Sequence, residues 1–551
     1  MKFDQLINQA GITNVSRRNL LKGVVSAGGL VLAAQILPRS AMADGGSVNA
    51  YKTGAEGMPG GVVWDPHVFV AIDPSGIVSI VTHRSEMGTG SRTSLPMVVA
   101  DEMEADWSMV RIVQAEGNEQ KYGNQDTDGS RSIRHFIQPM RACGAAARQM
   151  LEHAAALTWG VSDADCRAEN HRVFYYMNDY KTDKSLGFGE LAVAAAALKR
   201  PSQGSLTLKD PAMFRYIGKG EVQITDLFNI TTGKAMYAQD INVPGMKFAV
   251  VARPPVVLGQ VKTFDEAAAM KVPGVLKVVK IPFTPMPAVF APLGGVGVVA
   301  NSTWAAIKGR EALKVTWDDG PNKDYDSDTY KAKMRNEGDF DKALAGADKV
   351  IEHEYYIPHG VHVPMEPPAA VVQIKDGKAE VWACVQSPGG TRGDVAKVLG
   401  MKVEDGRANV TLLGGGFGRK SKCDFAQEAA ILSKAMGGTP VKVVWTREDD
   451  IHHSFYHSVS YQHVTAGLDK NKKVVAWRHR SVSPSLMSNF MPDPKRESAL
   501  ELGLGLIDTP FNVPNLRLET GEAVAQTRIG WFRSVNNIPH AFAMQSMVAE
   551  L

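Results

Sequence analysis

The chain has 551 residues, of which 44% are apolar and 22% are charged, a composition typical of a globular protein with more than one domain. Its 61 basic and 58 acidic residues give a net charge of +3, which excludes a general attraction to nucleic acid. The four cysteines are scattered without a Cys-x-x-Cys pair, so they predict neither a disulfide framework nor an iron–sulfur cluster in this chain.

The first 43 residues have the features of an export signal. Residues 16–22 are Ser-Arg-Arg-Asn-Leu-Leu-Lys, a mildly apolar stretch follows at 23–37, and Ala-Met-Ala at 41–43 matches a small-x-small cleavage pattern. The paired arginines favour twin-arginine export over the two alternatives, a Sec signal and a retained anchor. Because twin-arginine export carries folded proteins, this segment predicts a periplasmic protein that receives its cofactor in the cytoplasm.

Three pairs of alternating apolar segments predict β-hairpins. The turn of the first pair contains Pro74 and Gly76, which favour a tight reversal of the chain. A glycine-containing turn and a helical pattern follow the first and second pairs, so we expect a repeated strand-strand-helix unit that presents ligand loops at equivalent ends. The strand pairs are 67–72 with 77–82, 370–374 with 379–382, and 462–467 with 474–478, and the glycine turns are 87–90 and 386–390.

Two segments between the first and second hairpins have distinct compositions. Residues 124–133 are rich in hydroxyl and amide groups, and they precede an alanine-rich helix that we predict from Pro139 to about residue 157. Such a loop suits a phosphate or an oxygen-rich ring, although an ordinary helix N-cap uses the same residues. Residues 209–320 are rich in proline and valine, and they predict a small α+β domain inserted between two larger blocks.

The densest glycine cluster is Leu-Leu-Gly-Gly-Gly-Phe-Gly-Arg-Lys at 412–420. A strand is predicted before it at 409–413, and a helix to about residue 436 and a strand at 441–445 are predicted after it. Backbone amides near a helix start can bind phosphate or pyrophosphate. The spacing matches neither the Walker nor the Rossmann pattern, and a glycine-rich packing turn explains these residues equally well on their own.

Two groups of histidines raise the alternative of a zinc or iron site, which needs three converging ligands with fixed supporting partners. Prolines and a glycine interrupt the first group, and the second lies on a predicted strand with mixed facing, so surface or packing roles are favoured. The groups are His353, His359, His362 with Glu366, and His452, His453, His457 with His463.

Several short motifs occur in a fixed order along the chain. They are Met87-Gly88-Thr89-Gly90, Asp128-Gly129-Ser130, residues 232–240, Met365-Glu366-Pro367, Gln386-Ser387-Pro388, residues 414–418, residues 446–449 and Trp531-Phe532-Arg533. Their order resembles the large subunit of the xanthine dehydrogenase and aldehyde oxidase family of molybdenum hydroxylases. The resemblance is strongest to the exported branch, typified by the isoquinoline 1-oxidoreductase beta subunit and membrane-bound aldehyde dehydrogenases.

This resemblance implies an α+β fold in which molybdopterin-binding subdomains of mixed sheets and helices enclose an inserted a/b hammerhead domain. The implied domains are a twin-arginine signal peptide at 1–43, a first molybdopterin-binding block at 44–205, the hammerhead domain at 206–320 and a second block at 321–551. The second block is expected to be truncated at its C-terminus.

The resemblance also implies a cofactor and the residues that contact it. The cofactor is molybdenum–molybdopterin, with the cytosine dinucleotide as one form, and the metal is held through the pterin. Gln386 matches a glutamine that donates to the apical oxygen on molybdenum, Phe417 matches a residue that lines the metal, and Arg533 borders the cofactor. Loops on the pterin and its tail are matched by Gly88, Gly90, Gly129, Ser130, Ser132, Gly414, Gly415, Gly416 and Gly418.

Three departures from the family pattern limit the implied activity. Thr89 stands where the family usually has glutamine, and Ser421 stands where purine-oxidising relatives have glutamate, which argues against xanthine as substrate. The family's general-base glutamate, in a Gly-x-Gly-Glu motif, has no counterpart after Gly418. Glu366 is a candidate substitute, but its Met-Glu-Pro context matches another family position. We therefore expect this chain alone to be inactive or severely slowed.

The implied function is that of a molybdenum hydroxylase catalytic subunit, which oxidises an aldehyde or an aromatic N-heterocycle with water as oxygen source. The expected partners are a small iron–sulfur subunit, which carries the [2Fe-2S] clusters, and a membrane cytochrome c subunit; no nucleic acid is expected. The protein would be periplasmic and held at the inner membrane through its partners. The alternative is a non-catalytic truncated paralogue that binds the cofactor or assists assembly without the general base.

Overall fold

The computed structural model describes residues 60–335 and 348–551, and these form two compact units that each mix helices and sheets. The first unit contains the chain up to Asp240 with Cys384–Arg392 and Arg407–Leu413, and the second contains Ile241–Ala383, Gly393–Gly406 and Gly414–Leu551. The predicted α+β class is confirmed. The export signal predicted at 1–43 lies outside the described residues.

The first unit contains a mixed sheet packed against two long helices. Its elements are α1 (Pro66–Phe69), β1 (Val70–Ile72), β2 (Val78–Thr82), α2 (Ser91–Met103), β3 (Val110–Gln114), α3 (Glu119–Tyr122), α4 (Arg131–Trp159), β4 (Cys166–Glu169), β5 (Arg172–Met177), β6 (Tyr180–Gly187), α5 (Phe188–Ala196) and α6 (Leu227–Thr231). Strand β2 lies between antiparallel β1 and parallel β3, and β4, β5 and β6 form a second sheet. Small apolar side chains of α2 and α4 fill the core, which lets the two helices approach closely.

The second unit contains the larger sheets. Its elements before the glycine turn are β7 (Lys247–Ala252), β8 (Gln260–Thr263), α7 (Glu266–Met270), β9 (Val275–Ile281), β10 (Gly295–Ala300), α8 (Thr303–Ala312), β11 (Thr316–Asp318), α9 (Ser327–Arg335), β12 (Lys349–Ile357), β13 (Ala369–Lys375) and β14 (Lys378–Ala383). Helix α10 (Pro388–Leu399) and strand β15 (Gly406–Val410) are divided between the two units. The elements after the turn are α11 (Asp424–Ala435), β16 (Val441–Val444), α12 (Arg447–His452), β17 (Ser460–Leu468), β18 (Val474–Val482), α13 (Ala499–Leu502), β19 (Leu516–Thr520) and α14 (Asn537–Glu550).

The sheets of the second unit are mixed. One sheet has its strands in the order β14, β13, β16, β7, β10 and β9, with β16 and β7 parallel and the other pairs antiparallel. A four-stranded sheet has the order β12, β17, β18 and β19, and β8 pairs with β11. The predicted hairpins at β1 with β2, β13 with β14, and β17 with β18 are all confirmed.

Three predicted element boundaries are wrong. The strand predicted at 67–72 is β1, which begins at Val70 because Pro66–Phe69 form helix α1. The helix predicted to begin at Pro139 is α4, which begins eight residues earlier at Arg131 and contains Pro139 in its interior. The turn at Asp128 starts this helix, since Arg131 N donates to Asp128 O. The strand predicted at 409–413 is β15, which ends at Val410, because the amides of Leu412 and Leu413 donate instead to loop carbonyls of the first unit.

The segment at 209–320 is divided between the two compact units at Asp240. Compactness and family domain boundaries are separate properties of a chain, so the boundaries at 44–205, 206–320 and 321–551 stay predictions. No helix of the described residues is both long and apolar enough to cross a membrane.

Candidate functional site

The glycine turn after β15 places three residues in left-handed backbone conformations. Gly415 has φ of 87°, Phe417 has φ of 54° and Gly418 has φ of 99°. Glycine adopts this region freely, whereas a phenylalanine there is strained by about 1–3 kcal/mol. The surroundings therefore hold Phe417 in a conformation that its own backbone disfavours.

One carboxylate fixes both ends of this turn. Glu366 Oε2 accepts hydrogen bonds from Gly414 N at 3.0 Å and from Lys420 Nζ at 2.7 Å, and Glu366 N donates to Gly414 O at 3.0 Å. The Lys420 side chain is fully buried. A Cβ on Gly414 would lie 2.6 Å from the Glu366 Cβ, so this approach requires glycine. Glu366 is thus an internal ion-pair partner that ties the two ends of the turn together.

The segment Trp531 to Arg533 runs along the turn. Arg533 N donates to Phe417 O at 2.9 Å, and the guanidinium carbon lies 5.4 Å from the Phe417 ring centroid. A Cβ on Gly418 would lie 2.2 Å from Trp531 O, so a side chain there would push the two segments apart. The structure thus brings Phe417, Gly418 and Arg533 together, with the Arg533 side chain exposed.

An aromatic cluster adjoins the turn. The Trp531 indole N–H donates to Ser421 Oγ at 2.7 Å. The serine that stands where purine-oxidising relatives have glutamate thus has a defined partner. The Phe490 ring lies parallel to the indole with centroids 6.0 Å apart, and the Phe290 ring stands nearly perpendicular to the indole at 5.5 Å. Phe490 is partly exposed, so the cluster is open to solvent on that side.

In the first unit, Glu86 organises the loop that carries Gly88 and Gly90. Its Oε1 accepts from Gly88 N at 2.8 Å and from Gly90 N at 3.0 Å, and its Oε2 accepts from Arg92 N in the first turn of α2 at 3.0 Å. These amides are used inside the loop. A Cβ on Gly88 would meet nothing within 4 Å, so this glycine offers close approach to a ligand, not a donor.

Gln386 is buried and held by the loop that precedes α4. Its side-chain amide donates to Thr127 O at 2.8 Å, and Thr127 N donates to Gln386 O at 2.8 Å. Thr127 Oγ1 also accepts from Ser85 N at 2.9 Å. One amide hydrogen of Gln386 is therefore committed within the protein, and the pairing fixes the direction of its head group.

The start of α4 carries the other predicted serines and glycine. Ser130 is the N-cap residue with φ of 54°, and its hydroxyl does not cap the helix. Gly129, with φ of 50°, and Ser130 are exposed, and Ser132 is half-buried in the first turn. The structure thus presents Gly129, Ser130 and Ser132 at the N-terminus of a 29-residue helix, where the dipole favours an anion.

Several buried polar atoms near this loop have no hydrogen-bond partner among the described residues. They are Thr82 Oγ1, both ring nitrogens of His83, Nε and Nη2 of Arg84, and Asp126 Oδ1. Buried polar groups in proteins are nearly always paired with protein, water or ligand. Buried polar atoms that lack a hydrogen-bond partner among the described residues are therefore concentrated in these loops of the first unit.

Sequence reasoning missed Arg84, Glu86 and Lys420. An acidic residue shortly before a helix start was an available signal for Glu86. The partner of Lys420, Glu366, lies 54 residues away in the chain, and no local pattern predicts such a pair.

The histidine groups bond to the protein. His359 contacts His457 O at 2.8 Å and the Tyr325 hydroxyl at 3.0 Å, and His362 Nε2 contacts Trp531 O at 3.1 Å. Burial lowers the pKa of His457 to about 4. Among the residues that the structure describes, no three His, Cys, Asp or Glu side chains converge so as to hold a metal ion.

All four cysteines are buried thiols, and none forms a disulfide. Burial raises the pKa of Cys166 to about 11, and it raises the pKa values of Cys143 and Cys423 well above the usual range of a thiol. Cys423 Sγ lies 3.1 Å from Asp394 Oδ2, which also disfavours the thiolate. These thiols are therefore poor nucleophiles.

Comparison with family models identifies two matching stretches. Residues 39–233 and 322–551 each match a model of the molybdopterin cofactor-binding domain. Together the two stretches contain every residue to which the sequence predicts a cofactor or catalytic role.

Curated relatives match over most of the chain. It is 29% identical to the beta subunit of isoquinoline 1-oxidoreductase from Brevundimonas diminuta over 90% of this chain, and 30% identical to a membrane-bound aldehyde dehydrogenase [pyrroloquinoline-quinone] of Gluconacetobacter polyoxogenes over 77%. It is 27% identical to one subunit of the nicotinate dehydrogenase of Pseudomonas putida over 88%. The matches span 69%, 56% and 41% of the length of these relatives.

Solved structures with a similar arrangement include the aldehyde oxidoreductase of Desulfovibrio gigas, at 19% identity and a TM-score of 0.48 over 66% of this chain and 45% of that chain. Quinoline 2-oxidoreductase from Pseudomonas putida 86 matches at 19% identity and a TM-score of 0.45 over 57% of this chain and 45% of that chain.

Proposed function

Since the chain belongs to the molybdopterin-binding large subunits of the xanthine dehydrogenase and aldehyde oxidase family, we propose that it is the catalytic subunit of a molybdenum hydroxylase that oxidises an aldehyde or an aromatic N-heterocycle. The observation that carries the proposal is the pair of molybdopterin cofactor-binding domain matches, which together include all the predicted site loops. The names of the relatives supply the substrate classes.

The residues present fit a large polar cofactor. Open space above Gly88 and the exposed turn at Gly129 and Ser130 allow close approach to the backbone. Unpaired buried nitrogens on Arg84 and an unpaired oxygen on Asp126 supply donors and an acceptor that the protein itself does not use. A pterin with a phosphate tail needs many directional partners of both kinds.

In this proposal the predicted loops hold different parts of the cofactor. Gly88, Gly90, Gly129, Ser130 and Ser132 contact the pterin and its phosphate or cytosine dinucleotide tail, while the turn from Gly414 to Gly418 lies against the metal end. When bound, the cofactor supplies a molybdenum centre that accepts two electrons from the substrate carbon and transfers oxygen derived from water.

The chain's own residues position and enclose the reaction. Gln386 has a head group oriented by Thr127, and its side-chain amide is the donor type that a cofactor oxygen requires. Phe417 and Arg533 border the metal end, and the aromatic cluster of Phe290, Phe490 and Trp531 offers apolar faces to a ring-containing substrate. Ser421 is neutral and paired with Trp531, which favours aldehydes and N-heterocycles over the polar purine xanthine.

Electron transfer and location complete the proposal. The chain has no Cys-x-x-Cys pair, so electrons pass to a small iron–sulfur subunit that carries [2Fe-2S] clusters and then to a membrane cytochrome c subunit. Residues 16–22 support twin-arginine export, which delivers a folded, cofactor-loaded protein to the periplasm.

The test is elemental and pterin analysis of the natively purified complex, with the mass of every chain. We expect about one molybdenum and one pterin per chain, an iron–sulfur partner, and turnover of an aromatic aldehyde or an N-heterocycle with an artificial electron acceptor. A complex that contains neither molybdenum nor pterin would contradict the proposal and favour the alternative of a protein without redox chemistry.

A matched pair of variants tests the assigned site. Gln386→Ala removes the amide and should lower kcat by about 10- to 100-fold with the pterin still bound, since an oriented donor acts mainly in the transition state. Gln373→Ala changes the same residue type on β13, away from the predicted loops, and should leave turnover unchanged. Equal activity in both variants would contradict the role of Gln386.

A further inference from the structure

Arg84 is a fully buried cation in the first unit with an incomplete set of partners. Its Nη1 donates to Asn124 Oδ1 at 3.0 Å and to the carbonyl oxygen of Asp126, whereas Nε and Nη2 have no hydrogen-bond partner among the residues that the structure describes. The guanidinium carbon lies 4.0 Å from the Phe136 ring centroid, in the second turn of α4. The group is therefore desolvated but uses only one of its nitrogens as a donor.

Two other buried arginines of this molecule have carboxylates at hydrogen-bond distance. Arg419 Nη1 lies 2.9 Å from Asp424 Oδ1, and Arg141 Nε lies 2.5 Å from Glu102 Oε1. No Asp or Glu carboxylate of the described residues forms a salt bridge with Arg84. Since an unpaired buried charge is expensive, Arg84 is the group in the first unit's loops that most requires an external anion.

Four charged side chains influence the pKa of Arg84. Asp126, Asp128 and Glu119 favour its positive charge, Arg131 opposes it, and burial lowers the Arg84 pKa to about 10, so it stays protonated at neutral pH. Arg131 is paired with Asp128, which leaves Asp126 as the nearest carboxylate in the loop. Asp126 Oδ1 is itself unpaired and faces no donor within the described protein.

The second observation is the start of α4, which contains Phe136. Ser130 does not cap this 29-residue helix, and its positive dipole end adjoins the same loop. The loop is fixed on its other side, because Thr127 bonds to both Ser85 and Gln386. A buried cation with two free donors and an uncapped helix start thus meet at one rigid loop.

We propose that Arg84 binds a phosphate group through Nε and Nη2, with the N-terminus of α4 as the second contact. The inference rests on the proposed function in one respect: the phosphate group is expected to be that of the pterin cofactor or its nucleotide extension. Inorganic phosphate and diphosphate offer the same chemistry and are the alternative source. The adjacent Asp126 then suits an amino group of the same ligand as its hydrogen-bond donor.

The first experiment uses apo-protein made in cells that cannot synthesise the pterin, with inorganic diphosphate as the probe. We expect diphosphate to raise the melting temperature of the wild type, and the Arg84→Met variant to bind it about 10- to 100-fold more weakly. Arg84→Lys keeps the charge without the two directed donors, so its affinity should lie between the two.

The matched control is Arg134→Met. Arg134 lies on the first turn of α4 and donates to Gly129 O at 3.1 Å, but its side chain is exposed. It should bind diphosphate within about twofold of the wild type, since exposed charges contribute little to binding. Circular dichroism spectra that match the wild type would establish that both apo variants are folded.

The second experiment is the pterin content of natively purified protein. Loss of pterin in Arg84→Met but not in Arg134→Met supports the cofactor as the source of the phosphate, whereas weaker diphosphate binding with full pterin content supports a free anion. Diphosphate that fails to stabilise the wild type, or stabilises folded Arg84→Met equally, would overturn the proposal. A wild type without pterin or molybdenum contradicts the proposed function instead, and the diphosphate measurement still decides the role of Arg84.

Discussion

The glycine turn of the second unit and the loops of the first unit differ in how their buried charged side chains are paired. At the glycine turn, Lys420 pairs with Glu366, and Arg419 pairs with Asp424. In the first unit, Arg84 and Asp126 keep unpaired polar atoms although they are close in space. The turn pairs its two buried cations with carboxylates, whereas Arg84 has no salt-bridge partner among the described residues.

This difference separates the sources of rigidity in the two regions. The protein itself supplies the contacts that hold Phe417 in its strained conformation, so the turn is pre-formed before any ligand binds. The described residues leave several buried polar atoms of the loops around Arg84 without a hydrogen-bond partner. A mutation should therefore damage the turn directly, whereas ligand removal should affect mainly the first unit.

The strongest test of a self-sufficient turn is Lys420→Met. It leaves the buried Glu366 carboxylate without its cationic partner, which should destabilise the second unit by about 3–5 kcal/mol. The double variant Glu366→Gln with Lys420→Met removes both charges and should recover most of the melting temperature. A single variant that melts like the wild type would break the comparison, because the ion pair would then contribute nothing.

A backbone test at the same turn is Gly418→Ala. The new Cβ would lie 2.2 Å from Trp531 O, and φ of 99° disfavours alanine, so we expect a loss of about 2–4 kcal/mol. Gly437→Ala is the control: its φ is 67°, but a Cβ there meets nothing within 4 Å, so only the backbone cost of about 1–2 kcal/mol applies. Equal thermal unfolding of the two variants would mean that Trp531 does not constrain the turn.

Acid should weaken the second unit through its buried histidines. Burial lowers the pKa of His457 to about 4 and that of His479 to about 3, against about 6.5 in an unfolded chain. Their stabilisation is complete above about pH 6.5 and is lost as pH falls, because the unfolded chain then binds protons that the folded chain does not. His457→Gln should flatten the dependence of melting temperature on pH between about 6.5 and 4; an unchanged slope would contradict a neutral buried His457.

The smallest expected effect is a difference between the two regions in hydrogen exchange when the cofactor is removed. Hydrogen exchange of the apo and the cofactor-loaded protein should differ most in peptides that cover 82–92 and 124–134, and less in peptides that cover 414–420. The reason is that the former peptides include several buried polar atoms without a partner among the described residues, whereas the latter include only Arg419 Nε. Equal changes in both regions would show that the turn also depends on the ligand.

Local chemistry explains which parts of the fold were predictable. The hairpin of β1 and β2 follows from Asp73-Pro74-Ser75-Gly76, where Asp73 O accepts from Gly76 N at 2.9 Å. Helix α4 was predicted to begin too late because Pro139 is a strong helix-start signal, yet α4 accommodates it in its buried interior. Strand β15 was predicted too far along because the apolar residues Leu412 and Leu413 are buried without being in a strand.

The sequence predicts the candidate site only where glycine residues indicate an unusual backbone conformation. The turn at Gly415 and Gly418 needs left-handed backbone conformations, and their residue type records that need directly. The roles of Glu366 and Arg84 depend on partners far away in the chain, or on the lack of a partner, and neither condition appears in a single sequence. Long-range pairing of charges is settled by the tertiary structure alone.

The four buried cysteines have a practical consequence for labelling. Since all four thiols are buried, and burial raises the pKa values of Cys143, Cys166 and Cys423, maleimide or spin-label reagents should leave the native protein unmodified. A single cysteine introduced at an exposed position such as Ser75 would then be the one reactive site, without prior removal of native cysteines. Fluorescence and electron paramagnetic resonance labels can thus be attached at one chosen position while all native cysteines are kept.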